Sequence, residues 1–203
     1  MKKIGLMGGT FDPIHLGHLM IGKQAYEEYG LNEIWYMPSR IPPHKKDHRI
    51  TSAEERCAMV AAAIAPYPYF VLSDFEIKRT GGNTYTADTL RLLTEQYPEV
   101  EFYFIVGADS IHDIEKWYHP EYVLKMVTFL TADREYDNPA RTLDEQIEYL
   151  KEKYGARIRR LHCKMMDVAS AEIRERLDQK KPVDDLIPEE VLSYIKEHGL
   201  YQE

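Results

Sequence analysis

Short apolar runs alternate with segments of helical periodicity along the whole chain. Apolar runs of this length, bounded by turn residues, predict buried β-strands. We expect six strands, at residues 3–7, 33–37, 70–75, 101–106, 127–132 and 157–162. Helical patterns lie at residues 16–29, 52–65, 87–96, 113–125, 143–154, 171–179 and 188–198. This alternation predicts a doubly wound α/β fold, with a mainly parallel sheet and helices on both of its faces.

Local signals mark the ends of two helices and the extent of the domain. Gly30 follows the first helix, and glycine commonly ends a helix in this way. Ser52 and Glu55 have the spacing of a capping box at the start of the second helix. The 203 residues contain no linker or repeat. We therefore expect a single domain over residues 1–203, with residues 165–203 as a C-terminal helical extension packed on it.

The composition excludes several classes of protein. The 34 acidic residues outnumber the 26 basic ones and give a formal net charge of −8, which argues against electrostatic capture of nucleic acid or of an anionic membrane. No apolar run reaches the length of about eighteen residues that a membrane helix needs, and glycine interrupts the apolar N-terminus as it would not in a signal peptide. Cys57 and Cys163 have no metal-ligand spacing and indicate a reducing compartment. We expect a cytoplasmic protein with small-molecule partners, and the sequence leaves a homo-oligomer open.

The stretch GGTFDPIHLGH, residues 8–18, lies between the first strand and the first helix. In doubly wound folds, ligands bind beyond the carboxyl ends of the strands, where the strand order reverses. Gly8 and Gly9 are expected to let the chain turn sharply and to leave room for a ligand. His15 and His18 are three residues apart, so we expect them on one helix face. Because the stretch is neither a P-loop nor a dinucleotide fingerprint, we interpret it as a phosphate site made of imidazoles and backbone.

Two residue types in this stretch are also compatible with different roles. A His-x-x-His pair can bind zinc, but no third ligand accompanies it here, so no metal site is predicted. Asp12 fits a role as the cap of the first helix about equally well.

The residues HLGH at 15–18 resemble the HxGH signature of the nucleotidyltransferase superfamily. Further stretches agree with one of its families: PPHK at 42–45, GNTYTADTL at 82–90, VGADS at 106–110 with Trp117 and Tyr118 behind it, and VASAEIRERL at 168–177. Together they resemble the bacterial nicotinate-nucleotide adenylyltransferases over nearly the full length. The resemblance implies a Rossmann-like nucleotidyltransferase sheet. It also implies transfer of AMP from ATP to nicotinate mononucleotide, which gives deamido-NAD and pyrophosphate in NAD biosynthesis.

The resemblance further implies roles for individual residues. His18 would donate a hydrogen bond to the α-phosphate during direct in-line attack by the acceptor, and His15 would help to hold the phosphates. ATP and its phosphates would contact Gly8, Gly9, Thr10, Phe11, Lys45, Gly107, Asp109, Ser170, Ile173 and Arg174. The nicotinate nucleotide would contact Asn83, Thr84, Tyr85, Thr86 and Trp117. Mg2+ would be carried mainly by the ATP phosphates.

Some of these residues also fit a purely structural role. The carboxylate of Asp109 is expected to bind ribose hydroxyls, but it could instead cap a helix. Thr86 is expected to cap the helix that follows it. Trp117 is expected to stack on the pyridine ring, although without the resemblance it would be assigned to the core side of an amphipathic helix.

The segment VASAEIR departs from the family pattern ISSTxIR, because two hydroxyl-bearing residues are replaced by alanine. The departure concerns the affinity for ATP phosphates more than the reaction. Arg174 is either a ligand of these phosphates or part of an exposed charged face with Glu172 and Arg176. Two other functions stay open: a non-catalytic nucleotide-binding sensor, and an adenylyltransferase for nicotinamide mononucleotide or pantetheine phosphate.

Overall fold

A computed structural model describes residues 1–40, 50–80, 84–132, 141–163, 166 and 168–202. Within these residues the strands are β1 (Lys2–Gly9), β2 (Glu33–Pro38), β3 (Phe70–Leu72), β4 (Val100–Gly107), β5 (Thr128–Ala132) and β6 (Arg157–Leu161). The helices are α1 (Leu16–Tyr29), α2 (Ala53–Ile64), α3 (Phe75–Lys78), α4 (Thr86–Gln96), α5 (Ala108–Asp113), α6 (Pro120–Met126), α7 (Leu143–Tyr154), α8 (Ser170–Asp178) and α9 (Glu189–His198). A short 3-10 turn, Ile114–Lys116, lies between α5 and α6.

The described strands form one parallel sheet in the order β3-β2-β1-β4-β5-β6. β1 pairs with β2 on one side and with β4 on the other, so that Leu6 lies opposite both Trp35 and Phe104. The predicted doubly wound α/β fold is confirmed. The order reverses between β1 and β4, which places the switch point of the sheet at the carboxyl ends of these two strands.

Side chains of the central strands alternate between two hydrophobic cores, one on each face of the sheet. Ile4 and Leu6 of β1 pack with α4, α5, α6 and α7, whereas Met7 belongs to the other core. In β4, Phe104 and Ile105 divide between the two faces in the same way. The core that contains Met7 and Ile105 also includes side chains from α1, α2, α8 and α9. Helices therefore cover both faces, and the C-terminal helices share a core with α1 and α2.

Helix ends follow the local signals in the sequence. α1 ends at Gly30, which has a left-handed backbone with φ of 59°. Ser52 accepts a hydrogen bond from the backbone of Glu55, whose side chain in turn accepts one from the backbone of Ser52, so the predicted capping box is present. Such reciprocal bonds satisfy two backbone donors that have no partner inside the helix.

The prediction of a single helix over residues 113–125 is wrong. The chain forms α5 and the 3-10 turn, then runs in an extended conformation at Trp117, and α6 begins only at Pro120. His119 before it has a left-handed φ of 51°. Proline lacks the N–H needed inside a helix and disfavours helical geometry in the preceding residue, so it restarts the helix as its first residue. The break brings Trp117 and Tyr118 to the switch point.

The third strand is also shorter than predicted. The apolar run predicts a strand over residues 70–75, but β3 ends at Leu72 and Phe75 begins the one-turn helix α3. The turn places Glu76 inside the protein, where it is 7% exposed.

Candidate active site

A cavity of about 760 Å³ opens at the switch point between β1 and β4. Predicted site residues in its wall are Gly8, Gly9, Thr10, His18, Thr84, Tyr85, Thr86, Gly107 and Trp117. Residues in the wall that the sequence did not single out as ligands include Ser39, Glu76, Ser110, Lys116 and Tyr118. Two stretches far apart in the sequence thus meet at one site because β1 and β4 are neighbours in the sheet.

The paired glycines end a strand and do not themselves form the turn. Gly8 and Gly9 are the last residues of β1, and neither has a positive φ. The left-handed residue is Phe11, with φ of 52°. A Cβ on Gly9 would lie 3.1 Å from the Phe11 ring, which is closer than ordinary contact. Glycine at position 9 thus leaves room for the close approach of Phe11, and the expectation that Gly8 and Gly9 make the sharp turn is wrong.

His15 and His18 lie together, as their spacing predicts. Their rings stack with centroids 3.7 Å apart and an interplanar angle of 30°. His15 is the N-cap of α1, and its backbone N–H donates to Nδ1 of His18 at 3.2 Å. Because Nδ1 accepts, the proton of the neutral His18 imidazole resides on Nε2. The local fold thus sets the tautomer of His18 and makes Nε2 a hydrogen-bond donor.

Neighbouring groups hold the His18 ring and backbone. The edge of Phe11 packs against the ring, with centroids 5.0 Å apart and planes at 75°. The hydroxyl of the buried Tyr36 donates to the His18 carbonyl oxygen at 3.1 Å. Burial raises the pKa of Tyr36 well above its ordinary value, so this hydroxyl remains a donor. A Cβ on Gly17 would lie 3.0 Å from both the His15 ring and Val168, which explains why glycine stands between the histidines.

Asp12 does not cap α1, so this interpretation of Asp12 is wrong. The N-cap is His15, three residues further on. The Asp12 carboxylate instead accepts a bond of 2.6 Å from the Tyr201 hydroxyl and a longer one, 3.4 Å, from the backbone of Thr51. Burial, followed by the charge of Asp12, raises the pKa of Tyr201. The C-terminal segment thereby contacts the loop between β1 and α1.

Arg56 is a buried cation beside this loop that sequence reasoning missed. It is 1% exposed, and its guanidinium donates to the carbonyl oxygens of Thr10 at 2.8 Å, Ser39 at 2.8 Å and Thr51 at 3.0 Å. Burial lowers its pKa, and the negative charge of Asp12 opposes that shift. One side chain therefore joins three backbone segments next to the cavity. The available signal was an arginine at a core-facing position of α2.

Aromatic side chains form another part of the cavity wall. Trp117 packs edge-on against Phe104, with centroids 6.4 Å apart. Tyr85 and Tyr118 stack at 4.6 Å, and Tyr118 is 48% exposed. Trp117 is half-buried against the core and also lines the cavity. Packing on the core and contact with a ligand in the cavity are therefore both possible for the same indole.

The helix-cap prediction for Thr86 is wrong. Thr86 is the first residue of α4, and the N-cap is Tyr85, which makes no side-chain cap bond. The Tyr85 carbonyl oxygen accepts the first helical hydrogen bond, from the backbone N–H of Thr89 at 3.1 Å. The N-terminus of α4 has no side-chain cap, and it lies in the cavity wall. Backbone N–H groups at such a helix end favour an anion.

The VGADS segment lines the cavity with Val106, Gly107 and Ser110. Gly107 ends β4 and is the N-cap of α5, and it lines the cavity together with Ser110. Asp109 is exposed and lies in the first turn of α5. Lys116 also lines the cavity, and its Nζ lies 2.6 Å from a carboxylate oxygen of Asp113.

The α8 segment lies behind the loop that precedes α1. The Ser170 hydroxyl donates to the Pro13 carbonyl oxygen at 2.9 Å, and the Arg174 guanidinium donates to the Asp12 carbonyl oxygen at 2.7 Å. The side chain of Ile173 is fully buried in the core, and its backbone N–H donates to the Ala169 carbonyl oxygen at 3.1 Å. These residues support the loop from outside the cavity wall.

The exposed charged face suggested for α8 does not include Arg174. Glu172 and Arg176 form an ion pair of 2.6 Å with each other, whereas the Arg174 guanidinium bonds to the loop that precedes α1. Lys45 and Asn83 lie outside the described residues. Among the described residues, no three or more His, Cys, Asp or Glu side chains are grouped as a metal site would require. No helix in the described ranges is long and apolar enough to span a membrane.

Comparison with known proteins places this arrangement among nucleotide-transferring enzymes. Residues 6–176 match the family model described as cytidylyltransferase-like. The chain is 44% identical to a probable nicotinate-nucleotide adenylyltransferase of Lachnoclostridium phytofermentans over 99% of this chain and 100% of the relative. It is 42% identical to a relative of the same name from Bacillus cytotoxicus over the full length of both.

Solved structures agree on the fold. The Plasmodium falciparum nicotinic acid mononucleotide adenylyltransferase complexed with NaAD superposes with a TM-score of 0.80. The two chains are 24% identical, and the match covers 99% of this chain and 98% of the other.

Proposed function

This chain belongs to the nicotinate-nucleotide adenylyltransferases of the cytidylyltransferase-like family, and on that premise we propose that it transfers AMP from ATP to nicotinate mononucleotide. The products are deamido-NAD and pyrophosphate. The observation that carries the proposal is the cavity in which the ends of β1 and β4 meet His18 and Trp117. A cavity of about 760 Å³ has the size of a small-molecule site.

The reaction needs no nucleophile from the protein. An oxygen of the acceptor's phosphate attacks the α-phosphorus of ATP and forms a new P–O bond. The bond to the leaving pyrophosphate breaks, and its electron pair departs with the pyrophosphate oxygen. The protein contributes by aligning the two substrates and by stabilising the negative charge that grows on the phosphoryl oxygens.

His18 is the residue to which we assign the stabilisation of this charge. Its Nδ1 accepts from the His15 backbone at 3.2 Å, so Nε2 carries the proton that can be donated to an α-phosphate oxygen. Stacking on His15 and the edge contact with Phe11 restrict rotation of the ring. A donor held in place before the reaction loses little reorganisation energy when the charge develops. His15 contributes mainly by holding His18 and the phosphates.

The ATP side of the cavity lies along the ends of β1 and β4. Gly8, Gly9 and Thr10 present backbone with little side-chain bulk, and Gly107 does so from the facing strand. We place the triphosphate along this surface, with Asp109 at the ribose, and propose that its outer phosphates extend past the described cavity wall toward Ser170, Ile173 and Arg174.

Mg2+ enters as part of the MgATP substrate. The described part of the cavity wall holds one carboxylate, Glu76, and it is hydrogen-bonded to Thr89 at 2.8 Å. A single engaged carboxylate does not provide the set of oxygen ligands that a resident Mg2+ would need. The phosphates and water therefore supply the ligands.

The acceptor side of the cavity lies at Trp117 and the N-terminus of α4. We place the pyridine ring against the indole and the nicotinate carboxylate at the backbone N–H groups of Thr84, Tyr85 and Thr86. Charge-assisted hydrogen bonds to a carboxylate are stronger than those to a neutral amide, so nicotinate mononucleotide is expected to be a better substrate than nicotinamide mononucleotide.

Small molecules are the proposed partners, and the cytoplasm is the proposed compartment. The net charge of −8 argues against nucleic acid as a partner. The half-buried Cys57 and Cys163 are both free thiols, which fits a reducing environment. The proposed reaction is compatible with a homo-oligomer.

Release of pyrophosphate from MgATP tests this function. Nicotinate mononucleotide, nicotinamide mononucleotide, pantetheine phosphate and no acceptor should be compared, and we expect nicotinate mononucleotide to give the highest kcat/KM. The change His18→Ala should lower kcat by about a hundredfold or more. His198→Ala is the matched control, since this histidine is exposed on α9 and its loss should leave kcat unchanged. Absence of turnover with every acceptor would favour a nucleotide sensor.

A further inference from the structure

Glu76 is a buried carboxyl group in the cavity wall to which the proposed reaction assigns no role. It lies on α3, is 7% exposed and lines the cavity next to Thr84, with which it is hydrogen-bonded. A carboxyl group in such a place requires hydrogen-bond partners, because burial of an unpaired polar group is costly. Its partners determine which of its two protonation states the protein favours.

Two threonines hold the Glu76 carboxyl against α4. The Thr89 hydroxyl donates to Oε1 at 2.8 Å in a fully buried bond, and the Thr84 side chain also makes a hydrogen bond to the carboxyl. The Arg79 guanidinium donates to the same Thr89 hydroxyl at 3.0 Å. Glu76 is therefore tied to the first turn of α4 and to the segment that precedes this helix.

The charged residues next to Glu76 in the sequence have hydrogen-bond or ion-pair partners of their own. Arg79 acts electrostatically on Glu76 and also has its carbonyl bonded by the side chain of Arg40. On α3 itself, Lys78 pairs with Asp74 at 2.8 Å and is exposed.

The remaining titratable groups belong to α4 and to the facing wall. On α4, Asp88 lies in the first turn, after Tyr85 at the N-cap. Across the cavity, His18 and Tyr118 line the wall together with Lys116, whose ammonium pairs with Asp113 at 2.6 Å.

Burial raises the pKa of Glu76 to about 7, although the hydrogen bonds from Thr89 and Thr84 and the charge of Arg79 oppose this shift. The side chain thus changes from neutral acid to carboxylate within the range of cellular pH. Its protonated form contributes no net charge to the cavity, whereas its ionised form adds a negative charge to a region of low dielectric constant.

We propose that Glu76 is a specificity-determining residue for the acceptor, which admits an anionic ring substituent as the neutral acid and repels it as the carboxylate. The inference rests on the proposed function, because it takes a nicotinate carboxylate as the group bound near Thr84. The nicotinate carboxylate stays ionised throughout the range in which Glu76 titrates. A neutral carboxamide in the same place is not repelled by the charged form of Glu76.

The test measures kcat/KM for nicotinate mononucleotide from pH 6 to 8.5 at saturating MgATP. The value for the wild type is divided by the value for Glu76→Gln at each pH. Titration of the substrate phosphate affects both proteins and cancels in this ratio. We expect the ratio to fall above pH 7 by up to about tenfold per pH unit. With nicotinamide mononucleotide the same ratio should not fall as the pH rises.

A second variant shifts the titration and keeps the carboxyl. In Thr89→Val the hydroxyl that stabilises the charged form is lost, so the decline in kcat/KM for nicotinate mononucleotide should move to higher pH. Glu95→Gln is the matched control, because Glu95 lies on the exposed face of α4 and pairs with Arg91 at 3.0 Å. It should reproduce the wild-type profile.

The outcomes separate the inference from the function. Wild-type turnover of nicotinate mononucleotide with the same pH profile in Glu76→Gln would overturn the role of Glu76 and leave the function intact. If Glu76→Gln fails to fold, an unshifted profile in Thr89→Val would overturn it equally. No wild-type turnover of this acceptor at any pH would reject the proposed function, and the inference with it.

Discussion

Replacing Arg56 with methionine should reveal how much of the stability depends on one buried guanidinium. Methionine retains an apolar stem of similar length but removes the donors to the carbonyl oxygens of Thr10, Ser39 and Thr51. Hydrogen bonds to charged groups contribute about 1.5–3 kcal/mol each, so the three bonds lost would cost about 5 kcal/mol or more if counted alone.

The desolvation of the guanidinium offsets part of that cost. Burial already lowers the pKa of Arg56, and removing a buried charge returns some of the free energy spent on taking it out of water. The three acceptors belong to half-buried residues, which water can partly solvate after the change. We therefore expect the free energy of unfolding to fall by about 3 kcal/mol, which corresponds to a Tm lower by about 6–12 °C in a domain of this size.

Urea denaturation at pH 7, with thermal unfolding as a second measurement, tests this value. Arg91→Met is the matched control, because Arg91 forms an exposed i,i+4 pair with Glu95 and should cost no more than about 0.5 kcal/mol. Arg56→Lys should fall between the wild type and Arg56→Met, since one ammonium cannot reach three carbonyls in the geometry of the guanidinium. A loss below about 1 kcal/mol in Arg56→Met would refute the reasoning.

Two other changes test the packing of α1 against Tyr36 and the role of Arg174. Gly22→Ala places a Cβ 2.2 Å from the Tyr36 hydroxyl oxygen, so we expect a net loss of about 1–2 kcal/mol in urea unfolding even after the gain in helix propensity. Combining it with Tyr36→Phe should recover part of that loss, and no recovery would contradict the steric argument. Arg174→Ala should raise KM for ATP at saturating acceptor and change KM for the acceptor little. Arg176→Ala, which breaks only an exposed pair, should leave both unchanged, and equal ATP kinetics in the two variants would show that Arg174 contacts no phosphate.

Much of the fold could be predicted from the sequence because the signals involved are local. The observed bounds of α1 and α7 equal those predicted, residues 16–29 and 143–154. Both helices end at a glycine with a left-handed backbone, Gly30 and Gly155, and α7 begins at a capping box. These interactions join residues at most a few positions apart, so the sequence pattern alone specifies them.

The meeting of the β1 and β4 ends could also be predicted, because the order of strands in doubly wound sheets follows general rules of chain crossover. The pairing of His15 with His18 followed from a spacing of three residues. The break between α5 and α6 was missed, although Pro120 marks it, because the apolar pattern of residues 113–125 alone resembles one helix.

Only the tertiary structure decided the surroundings of the buried charged groups. Arg56 finds acceptors at Thr10 and Ser39, which are 46 and 17 positions away, and Asp12 meets Tyr201 across 189 positions. Glu76 follows directly after a predicted strand, and only the turn of α3 and the packing of α4 give it Thr89 as a partner. Sequence periodicity reports which side chains are apolar, whereas the free energy of a buried charge depends on donors and acceptors that folding brings from distant parts of the chain.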